Sequence, residues 1–262
     1  MAARPASAAA AVGPTSELLV DASSGRILYA RLPDAPHRPA SLTKMMTLYL
    51  AFDALDAGML RLDDAVAISR NAARQPPSKL GLVAGETLSV RTAIKAMAVH
   101  SANDVAVALA ERLGGSERAF ADAMTAKARR LGMTQTSFAN ASGLTNPGNR
   151  TTARDMTTLA LALLHNHPRD YPVFATRSVV WRSRRIASHD HLLGKVDGVD
   201  GIKTGYTVDA GYNIATSAKR HGLRIVAVVL GAKSLQARDV RVANLVELGL
   251  TPSPTRRRAG RL

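Results

Sequence analysis

The spacing of apolar residues changes its period twice along the chain. Near the start, "SELLVDASSGRILYA" places two short β-branched and aliphatic runs around a Ser-Ser-Gly turn, which predicts a hairpin. From Leu42 the apolar positions Met45, Met46, Leu48, Tyr49, Phe52 and Leu55 recur at helical spacing, with Gly58 as a stop. This helix is apolar nearly all round, the pattern of a central rather than a surface element. Further helices are predicted over Val90–Ala98, Asp104–Leu113, Glu117–Leu131 and Ala153–His165, the last opened by Thr152 and Asp155 at capping-box-like spacing. After about residue 175 the texture turns to short strands, "SVVW", "GIKTGYT", "YNIATSA" and "LRIVAVVL", followed by a helix over Ala237–Leu248. Strands at both ends with helices between predict a mixed α/β fold. One sheet is built from the two chain ends, with a helical subdomain, roughly residues 60–160, inserted between them.

Composition narrows the function. With 262 residues and 46% hydrophobic content the chain can bury one large core or two intimately packed subdomains. No apolar run reaches the roughly 18 to 20 residues of a membrane-spanning helix. The absence of cysteine removes disulfides, thiolate metal sites and cysteine nucleophiles together. The net charge is +15, and it is still +11 without the four arginines of the terminal "TRRRAGRL". Such a balance favours anionic partners. With only 4% aromatic residues and scattered basic ones, however, no nucleic-acid stacking platform is present, and a basic solvated surface is expected. Residues 1–15 read as a disordered leader or signal remnant, 16–250 as a single catalytic domain and 251–262 as a basic tail.

The chemistry starts at "PASLTKMM", where Ser41 and Lys44 share one face of a helix start. A serine hydroxyl needs a base before it attacks. Lysine serves only when neutral, and bringing its pKa from about 10.4 towards neutrality costs on the order of 4 kcal/mol. Burial against an apolar helix and a second cation both push that way. The helix amino terminus adds N–H groups that can stabilise an oxyanion. Taken alone the pair also fits an ordinary cap and a snorkelling lysine. Yet Lys44 is the only one of eight lysines with a serine three positions before it.

Two further motifs change the weighting. "HSANDVA" places Ser101 and Asn103 at a junction between two predicted helices, where polar side chains can face a cleft. "DGIKTGYT" places Lys203, Thr204 and Gly205 on a predicted strand, with the glycine allowing close approach of a ligand to the backbone. Ser-x-x-Lys, Ser-x-Asn and Lys-Thr-Gly in this order form the signature of penicillin-binding proteins and class A β-lactamases. Together with "LLVDASSGRILYA", "SKLGLVAGETLSV", "LGMTQTSFANASGL" and "TTARDM", they make the chain resemble the low-molecular-mass penicillin-binding proteins, serine D-alanyl-D-alanine carboxypeptidases, over roughly residues 16–250.

The resemblance implies the penicillin-binding-protein/β-lactamase-like transpeptidase fold, an antiparallel sheet flanked by helices. It implies Ser41 as nucleophile, Lys44 as its base, Ser101 as proton relay and Asn103 as an anchor for substrate amide and lysine. Lys203 and Thr204 would bind the terminal carboxylate, and the N–H groups of Ser41 and Tyr206, beside Gly205, would form the oxyanion hole. The implied partners are a peptidoglycan stem peptide ending in D-Ala-D-Ala and β-lactam antibiotics, with no cofactor, no metal and no nucleic acid. A periplasmic or extracellular location follows, although the full secretion signal and carboxy-terminal membrane anchor usual in the family are not evident here. Asp190, in "SHDHLLGK", stands where the family commonly has Asn.

Three alternatives are weighed against this reading. A class A β-lactamase needs a glutamate between the second and third motifs, and none occurs from Arg118 to Ile202. A transpeptidase differs only in whether an amine or water takes the acyl group. A catalytically silent wall-binding protein is disfavoured by the intact motifs. His165 with His167 and His189 with His191 are spaced for a strand and not for one helix face, and no carboxylate cluster accompanies them in the sequence, so no metal is expected.

Overall fold

The computed structural model describes residues 13–251; the anticipated leader and basic tail lie, apart from residues 13–15 and 251, outside the described residues. The chain opens with β1 (Ser16–Asp21) and β2 (Ile27–Arg31), the expected hairpin, and a 3-10 turn (Ala40–Leu42) then runs into α1 (Thr43–Asp56). A predominantly helical stretch follows: β3 (Ala65–Ala67), α2 (Arg70–Ala73), β4 (Thr87–Ser89), α3 (Val90–His100), α4 (Asn103–Gly114), α5 (Glu117–Arg130) and α6 (Ala153–Asn166). A second 3-10 turn (Tyr171–Ala175) leads to β5 (Ser178–Trp181), β6 (Arg184–Ala187), β7 (Val199–Thr207), β8 (Gly211–Arg220), β9 (Leu223–Ala232) and α7 (Leu235–Leu250).

The mixed α/β expectation holds. The main sheet has five antiparallel strands in the order β2-β1-β9-β8-β7, so the first strand pairs with the last, Ser16 opposite Leu230 and Val20 opposite Val226. From Ile225 on, β9 is buried on both faces, which explains the unbroken apolar run Ile225 to Leu230. Val226, Val228 and Leu230 join the large core on the helical side, and Ile225, Ala227 and Val229 join a smaller core with Val242, Leu245 and Val246 of α7. "SVVW" departs from the expectation: it pairs only with β6, as a separate hairpin outside the main sheet. The strand propensity of that run is satisfied locally, by Arg184–Ala187, which begins three residues after Trp181 and which sequence patterning does not pick out.

α1 is central, as its all-round apolar surface requires. Met45, Met46, Leu48, Tyr49, Ala51 and Phe52 are all buried, and the helix packs against α3, α4, α5 and α6. Full burial of each large apolar side chain contributes about 1.5–3 kcal/mol. The helix that carries Lys44 is therefore anchored on every side, and the 3-10 turn that leads into it packs against β7 of the main sheet.

Candidate active site

Ser41 lies in the 3-10 turn and Lys44 in the first turn of α1. Ala40, just before the serine, has a positive φ of 48°, and its carbonyl is packed against Gly143. A Cβ on Gly143 would lie 1.8 Å from the Ala40 oxygen, so only glycine allows these two backbones to meet. That contact brings the Ser142 carbonyl against Lys44. Lys44 is fully buried, with Nζ 3.1 Å from Ser41 Oγ and 2.7 Å from both Asn103 Oδ1 and the Ser142 carbonyl oxygen. Burial and the neighbouring charge of Lys203 hold its pKa well below the ordinary lysine value, against a weaker opposing pull from Asp104.

The second motif is held at a corner between two helices. Ser101 ends α3 in a left-handed conformation (φ 61°, ψ 33°), an uncommon geometry for a serine that turns the chain sharply into α4. Its Oγ is buried and has no hydrogen-bond partner among the described residues. A hydroxyl so placed, in the wall of a cleft, is positioned to bond a molecule that enters it. Asn103 accepts from Lys44 through Oδ1 and donates through Nδ2 to the Pro76 carbonyl (2.9 Å). Asp104, fully buried, accepts from the N–H groups of Leu80, Gly81 and Leu82 at 3.0–3.3 Å and so ties the loop after Pro76 to this corner.

The third motif runs along β7, the edge of the main sheet, which leaves one row of its backbone groups unpaired by β8. Thr204, Gly205 and Tyr206 line the cleft, whereas Lys203 is buried behind its wall, with Nζ donating to the Thr204 carbonyl (3.0 Å). Gly205 serves a different close approach from the expected one. A Cβ there would lie 2.9 Å from the Ser41 nitrogen and 3.2 Å from that of Leu42, so the glycine admits the backbone of the Ser41 turn. Burial lowers the Lys203 pKa to about 7, with Asp190 raising it and Arg238 lowering it. Asp190 is itself buried and held above the usual carboxylate range by that burial; one oxygen accepts from Leu192 N–H (3.0 Å) and the other has no partner among the described residues.

All three motifs thus converge on one cleft of about 520 Å³, lined among others by Ser41, Ser101, Asn103 and Thr204. Sequence reasoning missed three contributors. Arg238, on the first turn of α7 and 3% exposed, also lines the cleft while donating to Asp239 (2.6 and 2.9 Å). Ser142 contributes a main-chain carbonyl, which no side-chain motif can signal. Asp104 was visible only as a helix-start acid. His189 and His191 also line the cleft, with His191 3.3 Å from Asp239, and no carboxylate is among the described residues lining it.

Comparison with known proteins bears directly on this arrangement. A family model described as D-alanyl-D-alanine carboxypeptidase, peptidase family S11, matches residues 3–234. The chain is 35% identical over 248 residues to D-alanyl-D-alanine carboxypeptidase DacF of Bacillus subtilis (strain 168), covering 92% of this chain and 63% of the relative. It is 32% identical over 229 residues to DacB2 of Mycobacterium tuberculosis (strain ATCC 25618 / H37Rv), covering 83% of this chain and 75% of that one. Among solved structures, the D-alanyl-D-alanine carboxypeptidase DacD from Francisella tularensis matches with a TM-score of 0.88 at 33% identity, over 90% of this chain and 70% of that one. Penicillin-binding protein D2 from Listeria monocytogenes in its ampicillin-bound form matches with a TM-score of 0.83 at 31% identity, over 94% and 100%. The chain spans 63% and 62% of the lengths of DacF and of the Escherichia coli (strain K12) DacD, so it corresponds to part of those proteins. On the match of the family model across most of its length and the shared fold at about a third identity, the chain belongs to the S11 family of D-alanyl-D-alanine carboxypeptidases.

Proposed function

We propose that the chain is a serine D-alanyl-D-alanine carboxypeptidase that removes the terminal D-alanine from peptidoglycan stem peptides through an acyl-enzyme, and that penicillins acylate the same serine. The observation that carries this reading is the set of partners around Lys44. A neutral amine has two N–H donors and one lone pair. Two carbonyl-type acceptors, Asn103 Oδ1 and the Ser142 oxygen, stand at 2.7 Å, and the third neighbour, Ser41 Oγ at 3.1 Å, carries a hydroxyl that can donate to the remaining lone pair. A neutral Lys44 would have both its donors and its lone pair matched by these three neighbours, which supports reading it as the base for Ser41.

The steps follow from the positions. The stem peptide's terminal carboxylate meets the Thr204 hydroxyl and the Arg238 guanidinium at the cleft wall, with the field of Lys203 behind them. Ser41 Oγ attacks the carbonyl between the two D-alanines as Lys44 accepts its proton. The oxyanion is held by the N–H groups of Ser41 and Tyr206, whose strand is brought against the helix start by Gly205. Ser101 passes a proton to the departing amine, Asn103 binds the substrate amide, and water releases the shortened peptide. Such a substrate places the enzyme in the periplasm or outside the cell. Among the described residues no helix is long and apolar enough to cross a membrane.

The test is release of D-alanine from a peptide ending in D-Ala-D-Ala, run with and without an amine acceptor. Stoichiometric D-alanine with the shortened acid as sole product supports the reading. Ligation to the amine as the main product would make the enzyme a transpeptidase, and no release from any such peptide would overturn both.

A further inference from the structure

At the sequence level His167 is set aside because its spacing from His165 does not suit one helix face and no carboxylate cluster accompanies the pair. The fold supplies one. His167, at the end of α6, is 3% exposed, its ring edge-on to Tyr49 (4.5 Å between centroids) and tilted against Phe52. Its Nδ1 lies 3.0 Å from Asp56 Oδ2 at the end of α1, and donor atoms of Asp56, His167 and Asp170 all lie within 4.8 Å of one another. We propose that Asp56, His167 and Asp170 form a divalent transition-metal site, of the zinc class, that clips the end of α1 to the corner after α6. It lies at the opposite end of α1 from Lys44 and is independent of the catalytic reading.

Three features favour a cation over a plain ion pair. The ring's other nitrogen, Nε2, is 3.3 Å from Asp53 Oδ1, and Asp53 is itself held by Lys127 at 2.8 Å. A carboxylate behind the imidazole is the usual support of a metal-binding histidine: it fixes the proton on the far nitrogen and leaves the near one free. Nε2 has no well-aligned hydrogen bond among the described residues, so the pairing with Asp53 has room to tighten. Among the described residues no lysine or arginine is ion-paired with Asp56 or Asp170, so the two carboxylates lack a shared counter-charge. One imidazole and two carboxylate oxygens suit zinc, cobalt or manganese better than magnesium or calcium, which prefer oxygen alone. A cation about 2.1 Å from each donor needs the carboxylates to close in slightly, which Asp56, exposed, and Asp170, half-buried, are free to do.

The experiment uses chelator-stripped protein titrated with ZnCl2 by calorimetry and with CoCl2 by visible absorption, in wild type, Asp170→Asn and Asp56→Asn, with thermal unfolding in parallel. The expected result is one equivalent of zinc bound, cobalt bands from the same site, and a Tm raised by about 5 to 10 °C at a hundredfold excess over Kd. Each variant should bind at least about tenfold more weakly, in line with loss of a ligand or its support, and keep the wild-type rate of penicillin acylation. Absence of stoichiometric zinc binding below about 100 µM would overturn the site, since binding weaker than that is within reach of any surface histidine. Binding unchanged in both variants would place the ion on exposed imidazoles such as His165 and overturn it equally.

Discussion

Replacing Lys44 by methionine removes the base proposed for Ser41 while keeping a side chain of similar length. The two side chains are close in length, and Lys44 is fully buried, so no solvent contact is lost. The Ser142 carbonyl and Asn103 Oδ1 lose their donor at 2.7 Å, a penalty of about 1–3 kcal/mol for each buried group left unpaired. Against this, the folded protein no longer desolvates an amine whose pKa burial and Lys203 hold well below the ordinary value. The opposed contributions should leave Tm within several degrees of wild type. The rate should not survive. A positioned base contributes about 10²–10⁴-fold, so the second-order rate constant for acylation by a fluorescent penicillin should fall by that factor. On the acid side of 7, where Lys203 keeps its charge, the wild-type rate should also rise with pH as Lys44 loses its proton, and the variant should lack that rise. A folded Lys44→Met enzyme acylating within tenfold of wild type, with an unchanged pH profile, would refute the role of Lys44 as base.

Three further outcomes follow from the same structure. Gly205→Ala pushes a methyl to 2.9 Å from the Ser41 nitrogen, so stopped-flow acylation should slow by at least about a hundredfold, the scale of a lost oxyanion donor; an unchanged rate would show that the strand can yield there. Lys203, with a folded pKa of about 7 against 10.5 unfolded, binds fewer protons folded than unfolded between those values. Stability should therefore fall as pH is lowered from about 10.5 to 7 and level off below, by as much as about 5 kcal/mol, while Lys203→Met loses that part of the slope; parallel urea-unfolding curves for the two proteins across this range would contradict it. Asp190 raises the Lys203 pKa, so Asp190→Asn should leave Lys203 neutral at lower pH and raise KM for D-Ala-D-Ala peptides at pH 7 by up to about tenfold, with kcat within twofold; an unchanged KM would separate Lys203 from carboxylate binding.

What sequence reasoning reached and what it missed divide along physical lines. α1 was readable because a helix packed on all sides must be apolar on all sides, and the hairpin was readable because its turn chemistry is local. The three short motifs were readable because each depends on side chains at fixed spacing. Arg238 escaped because a single arginine in a basic chain carries no signal; only the packing of α7 on β8 and β9 makes it a cleft residue. The Ser142 carbonyl and Gly143 escaped because main-chain acceptors and positive-φ contacts are set by tertiary packing against Ala40. Asp56 and Asp170 escaped for the same reason, being far from one another along the chain and joined only by the packing of α1 and α6.

The account stands most directly on one measurement: the intact mass of the protein after incubation with penicillin, for wild type and Ser41→Ala, with the adduct mapped to a peptide. Wild type should gain the mass of one whole penicillin on the peptide containing Ser41, and the adduct should persist because no carboxylate lines the cleft among the described residues to activate a deacylating water. An unmodified wild type, or an equal adduct on Ser41→Ala, would contradict the claim that Ser41 is the nucleophile.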